Sequence, residues 1–238
     1  MNNNEDFIQA RPATALRPLL GVTVLVVEDS RFACEALRLL CLRSGARIRR
    51  ADSLFHAQQH LKVYRPCVVI IDVGLPDGDG TGLITSLSEA TPRIDVILGI
   101  SGEPENETGV MQAGADGFIA KPIASLSAFQ NAILKHLPEN RQPPGPRIVS
   151  KELVQPDMLA YHDDLSHVAQ ALDGKEGEQA IDYVTQFLGG IARSAEDHEM
   201  CAALDKLVKK RSAGEPIRPQ IASLAALVQE RLATSNHF

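Results

Sequence analysis

The chain has 238 residues, 44% of them hydrophobic, with 24 Lys and Arg against 30 Asp and Glu and a formal net charge of -6. The length suits one large domain or two small ones. The acid excess excludes a protein that grips nucleic acid by bulk charge. Trp is absent and aromatics make up 4%, so aliphatic side chains must build the cores. Cys34, Cys41, Cys67 and Cys201 show no metal-ligand spacing and read as small buried hydrophobes in a reducing compartment. No apolar run is long enough to cross a bilayer, and the start of the chain lacks a hydrophobic signal core. A cytoplasmic location, with no membrane partner, is the expectation.

Residues 1–20 read as a polar tail. From Gly21 onward, strand-like runs alternate with helical patterns five times. The first strand is Val22–Val27, ending at the acidic pair Glu28-Asp29. A helix from Ser30 to about Arg43 follows, with Ser30 suited to cap it and Phe32, Leu37 and Leu40 on its inner side. Gly45 ends it, and a short strand spans Ala46 to Ala51. The second helix runs from about Ser53 to Tyr64 and stops before Pro66. Cys67–Ile71 is a buried strand closed by Asp72. After it come a turn rich in Gly and Asp and a third helix from about Gly80 to Ala90. The run Val96–Ile100 ends at Ser101, and a fourth helix runs from about Pro104 to Ala113, stopped by Gly114. Gly117–Ala120 ends at Lys121-Pro122, and a fifth helix runs from about Ser125 to Leu137. Such β-α repeats with short connections imply right-handed crossovers and a parallel sheet covered on both faces. Four runs ending in reactive or charged residues place the chemistry at the carboxyl edge of that sheet.

Taken in order and spacing, Glu28-Asp29, Asp72 followed by Leu75-Pro76 and Asp79-Gly80, Ser101, and Ala113–Pro122 make residues 21–138 resemble the receiver domain of bacterial two-component response regulators. The resemblance implies a flavodoxin-like (βα)5 fold with a five-stranded parallel sheet. It also implies that Asp72 is the phosphoacceptor. Three clustered carboxylates need a cation, and the set Glu28, Asp29, Asp72 and the Gly74 backbone carbonyl suits Mg²⁺. Lys121 would pair with a phosphoryl oxygen, with Pro122 in a cis bond aiming it. Ser101 would donate its hydroxyl, and Ser101 with Phe118 would form the switch that alters the face of the fourth helix, fifth strand and fifth helix. The phosphodonor would be a sensor histidine kinase or relay protein. Gly74 departs from the usual pattern in offering no side chain beside the phosphoryl group, and Glu103 could reach toward it.

The nine residues Pro138–Pro146 hold four prolines, and residues 139–152 read as a stiff linker. Residues 153–238 read as a smaller all-α domain of about four amphipathic helices. Their stripes are Met158, Tyr161, Leu165, Val168, Leu172; then Ile181, Val184, Leu188, Ile191; then Met200, Leu204, Leu207; then Ile221, Leu224, Val228. Gly189-Gly190 is expected to bend the second helix, and Ser194-x-x-Asp197 to form a capping box for the third. From Lys151 onward there are nine basic and fourteen acidic residues. The only basic cluster is Lys206, Lys209, Lys210 and Arg211, so DNA binding by an atypical helical domain is the less favoured output. His162-Asp163-Asp164-Leu165-Ser166 is similar to the phosphoacceptor box of histidine kinase dimerisation helices, which makes His162 a candidate relay residue. The favoured reading is a helical module for dimerisation or protein binding. No signature of an enzymatic output is present.

Overall fold

The computed structural model describes residues 13–145, 149–174 and 178–234; residues 1–12 of the expected tail and Pro146 of the linker lie outside them. Strands β1 (Thr23–Val27), β2 (Arg47–Ala51), β3 (Val68–Asp72), β6 (Val96–Ser101) and β7 (Gly117–Ala120) form one sheet in the order β2-β1-β3-β6-β7. Every pairing in it is parallel, with Val27 beside Ile71 and Asp72 beside Ile100. A two-residue hairpin, β4 (Gly74–Leu75) and β5 (Gly78–Asp79), sits at the carboxyl end of β3. This is the expected flavodoxin-like arrangement.

The near-continuous aliphatic runs reflect burial on both sheet faces. Successive side chains alternate. Val24, Val26, Val68, Ile70 and Leu98 pack under α1 (Arg31–Ser44) and α5 (Leu126–Leu134). Leu25, Val27, Val69, Ile71 and Ile97 pack under α2 (Leu54–Val63), α3 (Gly80–Glu89) and α4 (Glu107–Gln112). The helix boundaries follow their caps. The Ser30 side chain accepts from Ala33 N, Ser53 from His56 N and Asp79 from Thr81 N. Gly45 ends α1 at φ 86°, a left-handed conformation that favours glycine.

Four expectations need correction. The tail does not extend to residue 20: Leu19 is fully buried and its amide donates to Ser44 O at 2.9 Å. The fourth helix begins as a 3-10 turn, Pro104–Asn106, because proline fixes the first turn without donating an amide. The linker does not extend to residue 152. Leu126 N donates to Glu152 O and Val154 N to Ala124 O, forming an antiparallel bridge that tethers residues 152–154 to the start of α5. Finally, Phe32 does not join the core beneath α1. It packs edge-on against Tyr161, with ring centroids 5.8 Å apart, in the core of the second half.

That second half contains α6 (Met158–Gly174), α7 (Glu178–Ser194), α8 (His198–Ser212) and α9 (Arg218–Thr234). Leu165, Val168, Val184, Leu188, Ile191, Met200, Leu204, Leu207, Leu224 and Val228 meet in one core, as the stripes imply, though Met158 is exposed. Helix α7 runs unbroken through Gly189-Gly190. The cap of α8 is Asp197, which accepts from Met200 N; Ser194 is the last residue of α7. No helix among the described residues is long and apolar enough to cross a membrane.

Candidate functional site

The carboxyl ends of β1, β3, β6 and β7 converge, because parallel strands in register all surface at one edge. Glu28 and Asp29 follow β1, Asp72 closes β3, Ser101 closes β6 and Lys121 follows β7. All five line a single cavity of about 20 Å³, together with Gly74 and Gly102. Lys121 Nζ lies 2.9 Å from Asp72 Oδ2 and 2.8 Å from Glu28 Oε2, and its side chain is only 6% exposed. The bond to Asp72 is a hydrogen bond, whereas the approach to Glu28 Oε2 is an ion pair without hydrogen-bonding geometry. The Lys121–Pro122 peptide is cis, as expected. The Ser101 hydroxyl oxygen accepts from Asn106 Nδ2 at 2.9 Å and from Glu103 N at 3.1 Å.

One carboxylate oxygen from each of Glu28, Asp29 and Asp72 can be chosen so that all three lie within 4.8 Å of one another. Burial, reinforced by Asp72, pushes the Glu28 carboxyl well above the ordinary range. Burial also pushes Asp29 up to about 7, against the pull of the Tyr183 hydroxyl. Burial alone would lower the Lys121 ammonium, but Asp72 and Glu28 hold it well above its usual value. Asp29 Oδ1 and Glu28 Oε2 are buried with no hydrogen-bond partner. Asp29 Oδ1 is thus left unpaired beside two further carboxylates, and Glu28 Oε2 is balanced only by its ion pair to Lys121; such an acidic cluster suits a hard divalent cation, so the residues present fit Mg²⁺.

The remaining sequence candidates fall elsewhere. Phe118 lies on β7, half-buried against the core on the α2–α4 side, and does not line the cavity. His162 is half-buried on α6, edge-on to Tyr161, and is also absent from the lining.

The cavity has a roof that the sequence did not announce. Helix α7 crosses its mouth. The Tyr183 hydroxyl donates to Asp29 Oδ2 at 2.7 Å, and Gln186, Phe187, Gly190, Ile191 and Arg193 complete the lining. Helix α6 places Asp164 against the start of α1. Its Oδ2 accepts from the Ser30 hydroxyl at 2.7 Å and from Phe32 N at 3.0 Å, and its Oδ1 accepts from Arg31 N at 2.9 Å. Burial pushes the Asp164 carboxyl up, opposed by these hydrogen bonds. The one available signal was Gly74 and Gly102, two glycines flanking the pocket where side chains of another segment enter.

Residues 24–133 match the family model described as "Response regulator receiver domain". The chain is 31% identical over 114 residues to the KDP operon transcriptional regulatory protein KdpE of Escherichia coli K12, covering 47% of this chain and 51% of that one. It is 30% identical over 115 residues to the virulence transcriptional regulatory protein PhoP of Salmonella typhimurium, again covering 47% and 51%. Among solved structures, it is similar to the signal receiver domain of a signal transduction histidine kinase from Syntrophus aciditrophicus. That match has 25% identity and a TM-score of 0.44, covering 49% of this chain and 89% of the other. Residues 24–133 thus form a receiver domain of the response regulator type, and over that part the chain is similar to two-component response regulators. It spans about half the length of the curated relatives it matches, and the family model ends at residue 133, before the four helices α6–α9.

Proposed function

We propose that the protein accepts a phosphoryl group on Asp72 from a histidine kinase or relay protein, and that this event governs a helical output region that binds protein. The observation that carries the reading is the convergence of Glu28, Asp29, Asp72, Ser101 and Lys121 on one buried pocket. In the transfer, a bond forms between an Asp72 carboxylate oxygen and phosphorus. The bond from phosphorus to the donor nitrogen breaks, and its electron pair leaves with the imidazole. Lys121, already tethered to Asp72 Oδ2, stands ready to hold a phosphoryl oxygen, and the Ser101 hydroxyl supplies a second donor. Glu28, Asp29, Asp72 and the Gly74 carbonyl would hold Mg²⁺. When bound, the ion neutralises the acidic cluster and the charge on the transferring group.

The helical region favours protein over DNA as its target. In its basic cluster, Arg211 pairs with Asp182 and Lys210 with Glu215, so two of the four cations are already occupied. A regulator that binds DNA is the second reading, favoured by the transcriptional relatives. Relay through His162 is a third; it requires α6 to present that side chain to a partner. Solution mass with and without beryllofluoride and Mg²⁺ tests the proposed coupling. A mass change in the native chain, absent in Asp72→Asn, supports phosphorylation-controlled assembly. An unchanged mass removes dimerisation as the output.

A further inference from the structure

Helix α7 touches the acceptor pocket along one face, through Gln186, Phe187, Gly190 and Arg193, with Tyr183 one turn before them on the same face. Tyr183 fixes the near end through Asp29. A Cβ on Gly74 would lie 2.6 Å from Gln186 Cδ, and a Cβ on Gly102 would lie 2.7 Å from Arg193 Nη2. The two loops beside Asp72 therefore lack side chains at the two places where α7 reaches in.

Arg193 is the unusual member of this face. Its Nε is buried with no hydrogen-bond partner, and its guanidinium makes no ion pair among the described residues. A buried donor without an acceptor is costly, more so when charged. Lys121 is already committed to Asp72 and Glu28, so Arg193 is the free cation at the pocket among the described residues that line it. An arriving group with several acceptor oxygens would relieve this arrangement.

Resting on the reading of Asp72 as phosphoacceptor, we propose that Arg193 is a phosphoryl-binding residue supplied by the helical region, so that the complete acceptor site is composite. Formation of the aspartyl phosphate gives Arg193 Nε and Nη2 anionic acceptors, and guanidinium geometry suits a phosphoryl group. The present cavity, about 20 Å³, has room for roughly one water. The flexible ends of Gln186 and Arg193 therefore move as the group enters, while the Tyr183–Asp29 bond keeps the helix in place. The helical region thereby senses phosphorylation by direct contact, without a relayed change in another face of the receiver domain.

The test uses the full chain with beryllofluoride and Mg²⁺, reading affinity by thermal shift, and acetyl phosphate, reading the labelling rate. In the labelling step the bond from phosphorus to the acyl oxygen breaks, acetate leaves with the electron pair, and the bond to Asp72 forms. Arg193→Gln is expected to weaken beryllofluoride binding roughly ten- to a hundredfold, the loss of one charge-assisted contact. Its melting temperature without ligand should be unchanged or higher, because an unpaired cation has gone. Arg193→Lys should restore part of the affinity. Gly102→Ala, which pushes the guanidinium aside without removing it, should weaken binding in the same direction by less. Native affinity in Arg193→Gln overturns the proposal. So does tighter binding or faster labelling in that variant, which would make α7 a lid that the phosphoryl group must expel. If Asp72→Asn binds as well as the native chain, or the native chain shows no Mg²⁺-dependent binding, the acceptor reading itself fails. Native binding with an indifferent Arg193→Gln removes only the role of Arg193.

Discussion

Asp164 is the strongest polar tie between the two halves, and Asp164→Ala tests it. The carboxylate is 2% exposed and accepts three hydrogen bonds at 2.7–3.0 Å, from Ser30, Arg31 and Phe32. Alanine would leave two α1 amides and a hydroxyl without their acceptor. Each buried orphan costs about 1–3 kcal/mol. Two effects reduce the sum: water enters the opened space, and removing the carboxylate ends the burial penalty that raises its pKa. Helix α1 also retains its own cap, Ser30 Oγ accepting from Ala33 N at 3.0 Å. The net loss of docking should be roughly 2–4 kcal/mol, equivalent to a thirty- to thousandfold shift in the docking equilibrium. Amide hydrogen exchange at Arg31 and Phe32, resolved by NMR, should accelerate on that scale. Exchange at Leu98 in the central strand β6 should stay close to native. Changes below about threefold at both amides would refute the claim that Asp164 anchors the helical region on α1.

Other expectations follow from the same contacts. Asp72→Asn should abolish acetyl phosphate labelling while keeping the fold, read by intact mass and circular dichroism. Mg²⁺ at a hundred times its Kd should stabilise the native chain by about 2.7 kcal/mol, and Asp29→Asn should lose most of this in a thermal-shift titration. Gly80→Ala should lower the melting temperature and impair labelling, because its Cβ would collide with the Asp72 carbonyl oxygen and lie 2.9 Å from Ile71 Cγ2. In the helical region, burial pushes Asp197 up, but Arg231, Met200 N and the Tyr161 hydroxyl hold its carboxyl below the ordinary 3.8. A depressed carboxyl contributes stability above its unfolded value that is lost as pH falls through its folded one. Acid unfolding should therefore steepen below pH 3.8, and Asp197→Asn should remove that part of the pH dependence.

The receiver domain was legible because four of its five strands, all but β2, are apolar runs that end at its chemistry, and parallel pairing carries those ends to one edge. Asp72, Asp29, Glu28, Ser101 and Lys121 could thus be grouped from sequence order alone. The four helical stripes were legible for the same periodic reason, and one core gathers them. What the stripes could not state is what their outward faces touch. Tyr183 sits beside the apolar stripe of α7 and ends on Asp29. Asp164 reads as part of a histidine-box pattern and instead caps a helix 132–134 residues earlier in the chain. Phe32 reads as an ordinary inner residue of α1, yet it joins the other core, because α6 packs on that flank. Pairings at such separations leave no periodic trace. Their only echo is the absence of side chains at Gly74 and Gly102.

Borohydride trapping of acetyl phosphate-treated protein tests the phosphoacceptor directly, because it reduces an acyl phosphate on aspartate to homoserine at the modified position. Peptide mapping of the Mg²⁺-treated native chain should find homoserine at position 72 and nowhere else. Homoserine at another aspartate, or none at all in folded protein, would contradict the account.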